Sequence, residues 1–194
     1  MSESIKRPGL YLIATPLGNL SERCERAHYL LEEIDLLACE DTRITGRLLK
    51  YLDVKPQLIP YHDHNENKQA ETLLELLGQK KAIGLVSDAG MPVISDPGYR
   101  IVKACHEQNY PVIPVGSGTA LIAALSASGL PPHPFYFAGF LPPKSAGRCR
   151  FFEELTHAKY TTICYESRYR ILKAIDNLIH TLGDDRAISV AREL

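Results

Sequence analysis

Val86 to Gly98 reads V-S-D-A-G-M-P-V-I-S-D-P-G, and its place in the chain decides the fold. It follows the apolar run Ala82 to Val86 and precedes a helical pattern from Tyr99 to Gln108, which puts it at the carboxyl end of a parallel strand. Open α/β sheets bind their ligands at that end. Gly90 and Gly98 permit positive φ, Pro92 and Pro97 stiffen φ, and Asp88 and Asp96 are carried on backbone with little freedom to rearrange. A loop so constrained suits close approach of the backbone to a small ligand. The alternative is a long turn punctuated by Gly and Pro, with the aspartates as local caps.

On the N-terminal side the same strand-loop-helix unit repeats. Gly9 to Ala14 reads as a buried strand that ends in the tight turn Thr15-Pro16-Leu17-Gly18-Asn19, and Ser21 is placed to cap a helix running through Leu31. The turn is neither G-x-G-x-x-G nor a Walker loop, which removes support for a Rossmann dinucleotide site and for a P-loop NTPase. Ile34 to Cys39 predicts a second strand, followed by Glu40-Asp41-Thr42-Arg43 and a helical run from Ile44 to Leu52. Leu58-Ile59 and a helix from Glu66 to Leu77, closed by Gly78, form the next unit. Between them His62, Asp63 and His64 invite a metal reading, but no third ligand stands at a recognisable spacing, and Asn65 makes a simple helix cap. The other reading is a surface or substrate-facing loop.

On the C-terminal side Pro111 to Val115 predicts a fifth strand, and Gly116-Ser117-Gly118-Thr119 opens an apolar helix from Ala120 to Ser128. Small residues at a helix start leave backbone N–H groups free for a carboxylate or other polar group, although an ordinary βα turn has the same composition. Gly129-Leu130-Pro131-Pro132-His133-Pro134 then shifts abruptly to proline. The domain reading is therefore an N-terminal α/β domain over 1–128, a linker over 129–134 and a C-terminal α/β domain over 135–194, with a cleft between the two lobes. The second lobe predicts strands over Phe135–Gly139, Thr161–Tyr165 and Ala187–Ala191, with helices over Arg148–Leu155 and Tyr169–Leu182. It also holds the basic residues Lys144, Arg148, Arg150, Arg168 and Arg170, interleaved with Phe140, Tyr165 and Tyr169. That mixture joins phosphate-neutralising charge to stacking faces for unpaired bases. A solvated helix start and loop is the plainer account.

Composition bounds these readings. The 194 residues are 45% hydrophobic, enough for a proper core, and carry 22 Lys plus Arg against 23 Asp plus Glu, so a polyanion partner needs a local basic patch. No apolar stretch approaches the roughly 20 residues that span a bilayer, and the polar start Met1 to Arg7 lacks a signal-peptide core, which predicts a cytoplasmic protein. Five widely spaced cysteines without a C-x-x-C disfavour a disulfide framework or structural zinc.

Six segments, in order, resemble one family: A-T-P-L-G-N-L (Ala14–Leu20), E-D-T-R (Glu40–Arg43), S-D-A-G-M-P-V-I-S-D-P-G (Ser87–Gly98), A-L-S-A-S-G-L-P (Ala124–Pro131), G-F-L-P-P-K (Gly139–Lys144) and Y-E-S (Tyr165–Ser167). The family is that of the bacterial 16S ribosomal RNA 2′-O-ribose methyltransferases I, within the tetrapyrrole methylase superfamily of S-adenosylmethionine (SAM)-dependent enzymes. The resemblance implies a two-domain class III methyltransferase fold, SAM folded into the cleft between the domains, a homodimer, no metal, and methylation of a cytidine ribose in the small ribosomal subunit. Matched by motif, the implied SAM contacts are Leu17, Asp88, Ala89, Gly90, Met91, Thr119, Ala120 and Tyr165. Asp41 and Glu166 are the carboxylates placed to take the ribose proton, and Arg43, Lys144, Arg148, Arg150 and Arg168 are those placed to meet RNA.

This chain departs from the family at Gly116-Ser117-Gly118-Thr119, where a Pro-Gly-Pro-type turn is usual. It also stops at Ala191-Arg192-Glu193-Leu194, where family members continue with further strands, so the second domain is expected to be truncated. Two other functions stay open: a sister methyltransferase acting on a tetrapyrrole or a modified protein side chain, and a non-catalytic RNA-binding or dimerisation module.

Overall fold

The computed structural model describes residues 7–116 and 118–192. Ser117 of the predicted Gly116–Thr119 turn, the polar start Met1 to Lys6, and the last two residues Glu193 and Leu194 lie outside the described residues. The chain divides into two compact units between Thr119 and Ala120.

The first unit alternates β1 (Gly9–Ile13), α1 (Glu25–Glu33), β2 (Leu36–Cys39), α2 (Thr42–Leu52), β3 (Leu58–Pro60), α3 (Glu66–Gly78), β4 (Ala82–Val86), α4 (Tyr99–Glu107) and β5 (Val112–Val115). The strands form one parallel sheet in the order β3-β2-β4-β1-β5. Crossovers between parallel strands are right-handed, so a connection moving one way along the sheet packs on one face and a connection moving the other way packs on the opposite face. The core follows that rule. Leu30 and Leu31 of α1 and Leu49 of α2 share one apolar cluster with Tyr11, Ile13, Leu37, Cys39 and Val115. Leu73 and Leu77 of α3 and Ile101 and Cys105 of α4 share the other with Leu10, Leu36, Ala38, Ile83 and Leu85.

Alternate residues of each strand thus serve opposite faces, and all of β4 is buried, which is why it reads as an unbroken apolar run. Each such Leu or Ile contributes roughly 1.5–3 kcal/mol relative to exposure. Gly84 is required by space: a Cβ there would lie 2.8 Å from Leu37 Cδ1 and 3.0 Å from Ile34 Cδ1.

Three predicted helix ends are corrected. Ser21 does not cap α1; it sits in a separate 3-10 turn, Leu20–Glu22, where the Asn19 side chain accepts its N–H, and α1 begins only at Glu25. Asn65 does precede α3, but its side chain turns backwards, accepting from His62 N at 2.8 Å and donating to the Pro60 carbonyl at 3.0 Å. Gly78 stays inside α3, and the left-handed residue that ends the helix is Lys80, at φ 61.

The second unit holds α5 (Ala120–Ala127), β6 (Phe135–Phe140), α6 (Ser145–Glu154), β7 (Thr161–Tyr165) and α7 (Ile171–Leu182). β6 and β7 pair in parallel, with α6 and α7 packed over Leu141, Phe152 and Ala174. Ala187–Ala191 is not a strand. A strand exists through its ladder, and the described sheet contains β6 and β7 alone; the segment instead borders an apolar groove of about 420 Å³ lined by Leu155, Ile175, Leu178 and Ile188.

Candidate functional site

The loops after β1, β2, β3, β4 and β5 all leave the same edge of the first sheet, because parallel strands present all their carboxyl ends together. β1 and β4 are neighbours whose onward helices lie on opposite faces, so the sheet's topological switch point falls between them. The chain closes that point with peptide groups. Thr15 N donates to Gly90 O at 2.9 Å, Gly90 N donates back to Thr15 O at 3.1 Å, and the Thr15 hydroxyl donates to Ser87 O at 3.2 Å. Gly90, at φ 86, lets Leu17 come in: a Cβ would lie 3.0 Å from Leu17 Cδ2 and 3.7 Å from the Gly118 carbonyl. Leu17, Asp88, Ala89, Gly90 and Met91 therefore sit on one loop pair, with Gly118 against them.

The Ser87–Gly98 loop is strained as well as stiff. Val93 has φ 77 and Ser95 φ 66. For a β-branched residue such a conformation costs about 1–2 kcal/mol, and residues held this way cluster where geometry serves a ligand. The loop's far end is anchored by Glu66. Its Oε1 accepts from Gly98 N at 3.1 Å, Arg100 N at 3.3 Å and the Tyr61 hydroxyl at 3.1 Å, while Oε2 pairs with Arg100 Nε at 3.3 Å. Glu66 thus caps α4 from another helix. Sequence reading missed this role, since the residue lies far from the turn it serves.

The carboxylates of this edge behave in two ways. Asp41 accepts from Arg43 N at 2.8 Å, which makes it the N-cap of α2, and meets the Arg43 guanidinium at 2.6 Å. Those bonds hold its carboxyl well below the usual range. Asp88, Asp96 and Glu40 go the other way. Burial pushes all three up; the Asp88 charge adds to this at Glu40 and Asp96, and Asp41 adds to it at Asp88. Asp88 Oδ1 accepts from Asp41 N at 3.3 Å, joining the β2 loop to the β4 loop. On the β3 loop the rings of His62 and His64 meet edge to face at 5.9 Å. Among the described residues no group of three or more His, Cys, Asp or Glu could hold a metal ion. At the edge of this unit the buried Thr119 hydroxyl has no hydrogen-bond partner among the described residues.

In the second unit the residues converge on the carboxyl ends of β6 and β7. The pairing slips between Phe137 and Phe140, at Gly139 with φ 69, and this bulge brings the Phe140 ring to 5.5 Å from Tyr165. Phe140 is 57% exposed. Lys144 and Arg150 are exposed, and Arg168 is exposed with its guanidinium over the Tyr169 ring. The Glu166 side chain is buried: Oε1 accepts from Ser167 N and from Arg170 Nη2, each at 2.6 Å, and Oε2 has no partner among the described residues.

Arg148 differs from the other predicted RNA contacts. It is 2% exposed, with Nε donating to Asn177 Oδ1, Nη1 to the Pro142 and Pro143 carbonyls, and Nη2 to Ser145 Oγ. A guanidinium spent in this way does not meet a phosphate, which corrects the sequence reading of this residue. Ala120 opens α5 in the second unit.

The sequence model for Tetrapyrrole (Corrin/Porphyrin) Methylases matches residues 9–194. Proteins named ribosomal RNA small subunit methyltransferase I are 45% identical in Escherichia coli and 46% identical in Synechocystis, in each case over 95% of this chain and 65% and 66% of theirs. The chain thus spans just under two thirds of the length of these relatives. Among solved structures, diphthine synthase superposes with a TM-score of 0.67 at 12% identity, over 89% of this chain and 70% of that one. Uroporphyrin-III-C-methyltransferase from Thermus thermophilus superposes with a TM-score of 0.53 at 22% identity, over 71% and 61%. These two likenesses speak for the class III methyltransferase fold alone. Sequence match, parallel sheet and switch-point loops agree: the chain belongs to the tetrapyrrole methylase family.

Proposed function

We propose that the chain is a SAM-dependent methyltransferase acting on the ribose 2′-oxygen of a cytidine in 16S ribosomal RNA. The carrying observation is the closed β1–β4 switch point, Thr15 bridged to Gly90 with Asp88 beside it, in a chain 45% identical to a ribosomal RNA small subunit methyltransferase. The residues suit SAM. Gly90 and Leu17 form a cradle that a Cβ would fill, the Thr119 hydroxyl lacks a partner among the described residues, and carboxylates at Asp88, Asp96 and Glu40 favour a cationic ligand. Leu17, Asp88, Ala89, Gly90, Met91 and Thr119 are the first unit's contacts to it.

When bound, SAM supplies a methyl group already activated on a sulfonium. The protein's own task is to hold the 2′-oxygen in line with that methyl and to exclude water. Methylation of that oxygen would require its hydroxyl proton to leave. Glu166, whose Oε1 is held by Arg170 but whose Oε2 has no partner among the described residues, is assigned to accept it, whereas Arg43 occupies both oxygens of Asp41, which serves to present that guanidinium to a phosphate. Lys144, Arg150 and Arg168 neutralise neighbouring phosphates, and Phe140 and Tyr169 offer stacking faces. The homodimer belongs to the same reading and is measured by sedimentation.

Calorimetric titration of the 194-residue chain with SAM tests the cofactor. Saturable binding that disappears in Asp88→Ala supports the site, and no binding overturns it. Transfer of labelled methyl to small subunits or to naked 16S RNA tests the substrate; incorporation into a tetrapyrrole instead would favour the sister activity.

A further inference from the structure

The Arg148 guanidinium is buried in an unusual company. Four acceptors surround it, at 3.0 Å (Asn177 Oδ1), 3.2 Å (Pro142 O), 3.0 Å (Pro143 O) and 3.1 Å (Ser145 Oγ), and all are neutral. Among the described residues no carboxylate pairs with it. A buried cation without a counter-ion is expensive, and its hydrogen bonds must offset the lost hydration. What those bonds achieve is geometric. Consecutive proline carbonyls converge on one nitrogen, so the fork of Arg148, in the first turns of α6, reaches back and holds the Pro142-Pro143 pair. Asn177 ties the same fork to α7, and Ser145 Oγ lies 3.1 Å from Asn177 Oδ1, closing the ring. On either side of the clamped prolines stand the exposed Phe140 and Lys144.

We infer that Arg148 is a positioning residue: its buried fork fixes the Pro142-Pro143 peptides and thereby presents Phe140 and Lys144 to a nucleic-acid strand. The role as stated for RNA rests on the proposed function, while the clamp itself does not. Lysine is the discriminating substitution. It keeps the charge, as a phosphate contact would need, but offers a point of donors instead of a planar fork.

The experiment uses the 194-residue chain, a fluorescent single-stranded RNA oligonucleotide, and limited trypsin digestion with the rate of cleavage after Lys144 read by mass. Arg148→Lys is expected to raise that cleavage rate about tenfold, the scale of losing buried charged hydrogen bonds. RNA affinity should fall by a similar factor. Lys144→Gln should weaken RNA binding and lower the slope of log affinity against log salt by about 0.7. Adding Arg148→Lys to Lys144→Gln should cost less than it does in the wild-type background, a non-additivity that a general loss of stability would not produce.

Normal RNA affinity and slow cleavage in Arg148→Lys would overturn the inference, as would full additivity with Lys144→Gln. If the wild-type chain binds no RNA, the proposed function fails and the cleavage rates alone decide the clamp. If Arg148→Lys does not fold, Asn177→Ala, which removes the acceptor from α7 and leaves the guanidinium, takes its place under the same two readouts.

Discussion

At the scale of single residues, the first unit's carboxyl edge sets carboxylates of opposite tendency side by side. Asp96 is pushed up by burial, with Asp88 and Asp63 adding to the effect, so its ionised form is penalised in the fold. Its favourable share of stability is complete below the ordinary aspartate range, near pH 4, and is lost as pH rises through the folded value. Asp96→Asn keeps the shape of the side chain and cannot ionise. Its melting temperature is therefore expected to gain on the wild type between about pH 4 and neutrality. Asp41 is held down by Arg43, so its share is present above the ordinary range and is lost as pH falls through the folded value. Asp41→Asn should accordingly melt below the wild type at neutral pH and approach it in acid. Thermal melts of both variants across pH check the pair, and curves moving in the same direction would contradict the assignment.

At the scale of elements, β4 carries the tightest constraint. Gly84 faces Leu37, Ile34 and Ile13 with no room for a methyl group, so Gly84→Ala should destabilise by about 1–3 kcal/mol in denaturant melts, without a change in the slope that reports exposed surface. β4 and β7 are also where pattern and structure coincide residue for residue, because short apolar runs bounded by loops leave few alternatives. The misreadings share one cause: pattern records what a residue type can do and is blind to the partner it finds. Ser21 can cap a helix, yet Asn19 takes its N–H first. Ala187 to Ala191 alternates as a strand would but pairs with no strand among the described residues. Arg148 sits in a basic cluster, while its acceptors come from Asn177, far along the chain, and from two proline carbonyls that no charge count reveals. The loops at the carboxyl edge of the first sheet were legible because parallel topology dictates where they go. The cap supplied by Glu66 to α4 was not, since it joins elements that only the fold makes adjacent.

At the scale of the whole molecule, three apolar clusters hold two sheets, two on the faces of the first and one on the second. The cluster of the second unit is small, and Phe152, 3% exposed, is the only buried aromatic among that unit's described residues. Phe152→Ala is expected to cost about 3–5 kcal/mol locally. Hydrogen exchange should then show lost protection at β6 and β7 amides with protection at β1 and β4 retained; equal loss in both sheets would contradict the division. The strand order has a further consequence in time. β1 emerges first from the ribosome, yet its two neighbours begin only at Ala82 and Val112. At a synthesis rate of about 5–20 residues per second, roughly 4–15 s pass before β4 exists to cover it. Throughout that interval Gly-Leu-Tyr-Leu-Ile is an apolar segment whose backbone groups have no sheet partner. The arrangement that ends as an interior strand of the sheet starts as the segment with the longest wait, and a nascent chain halted short of Ala82 leaves it exposed to chaperones and to aggregation.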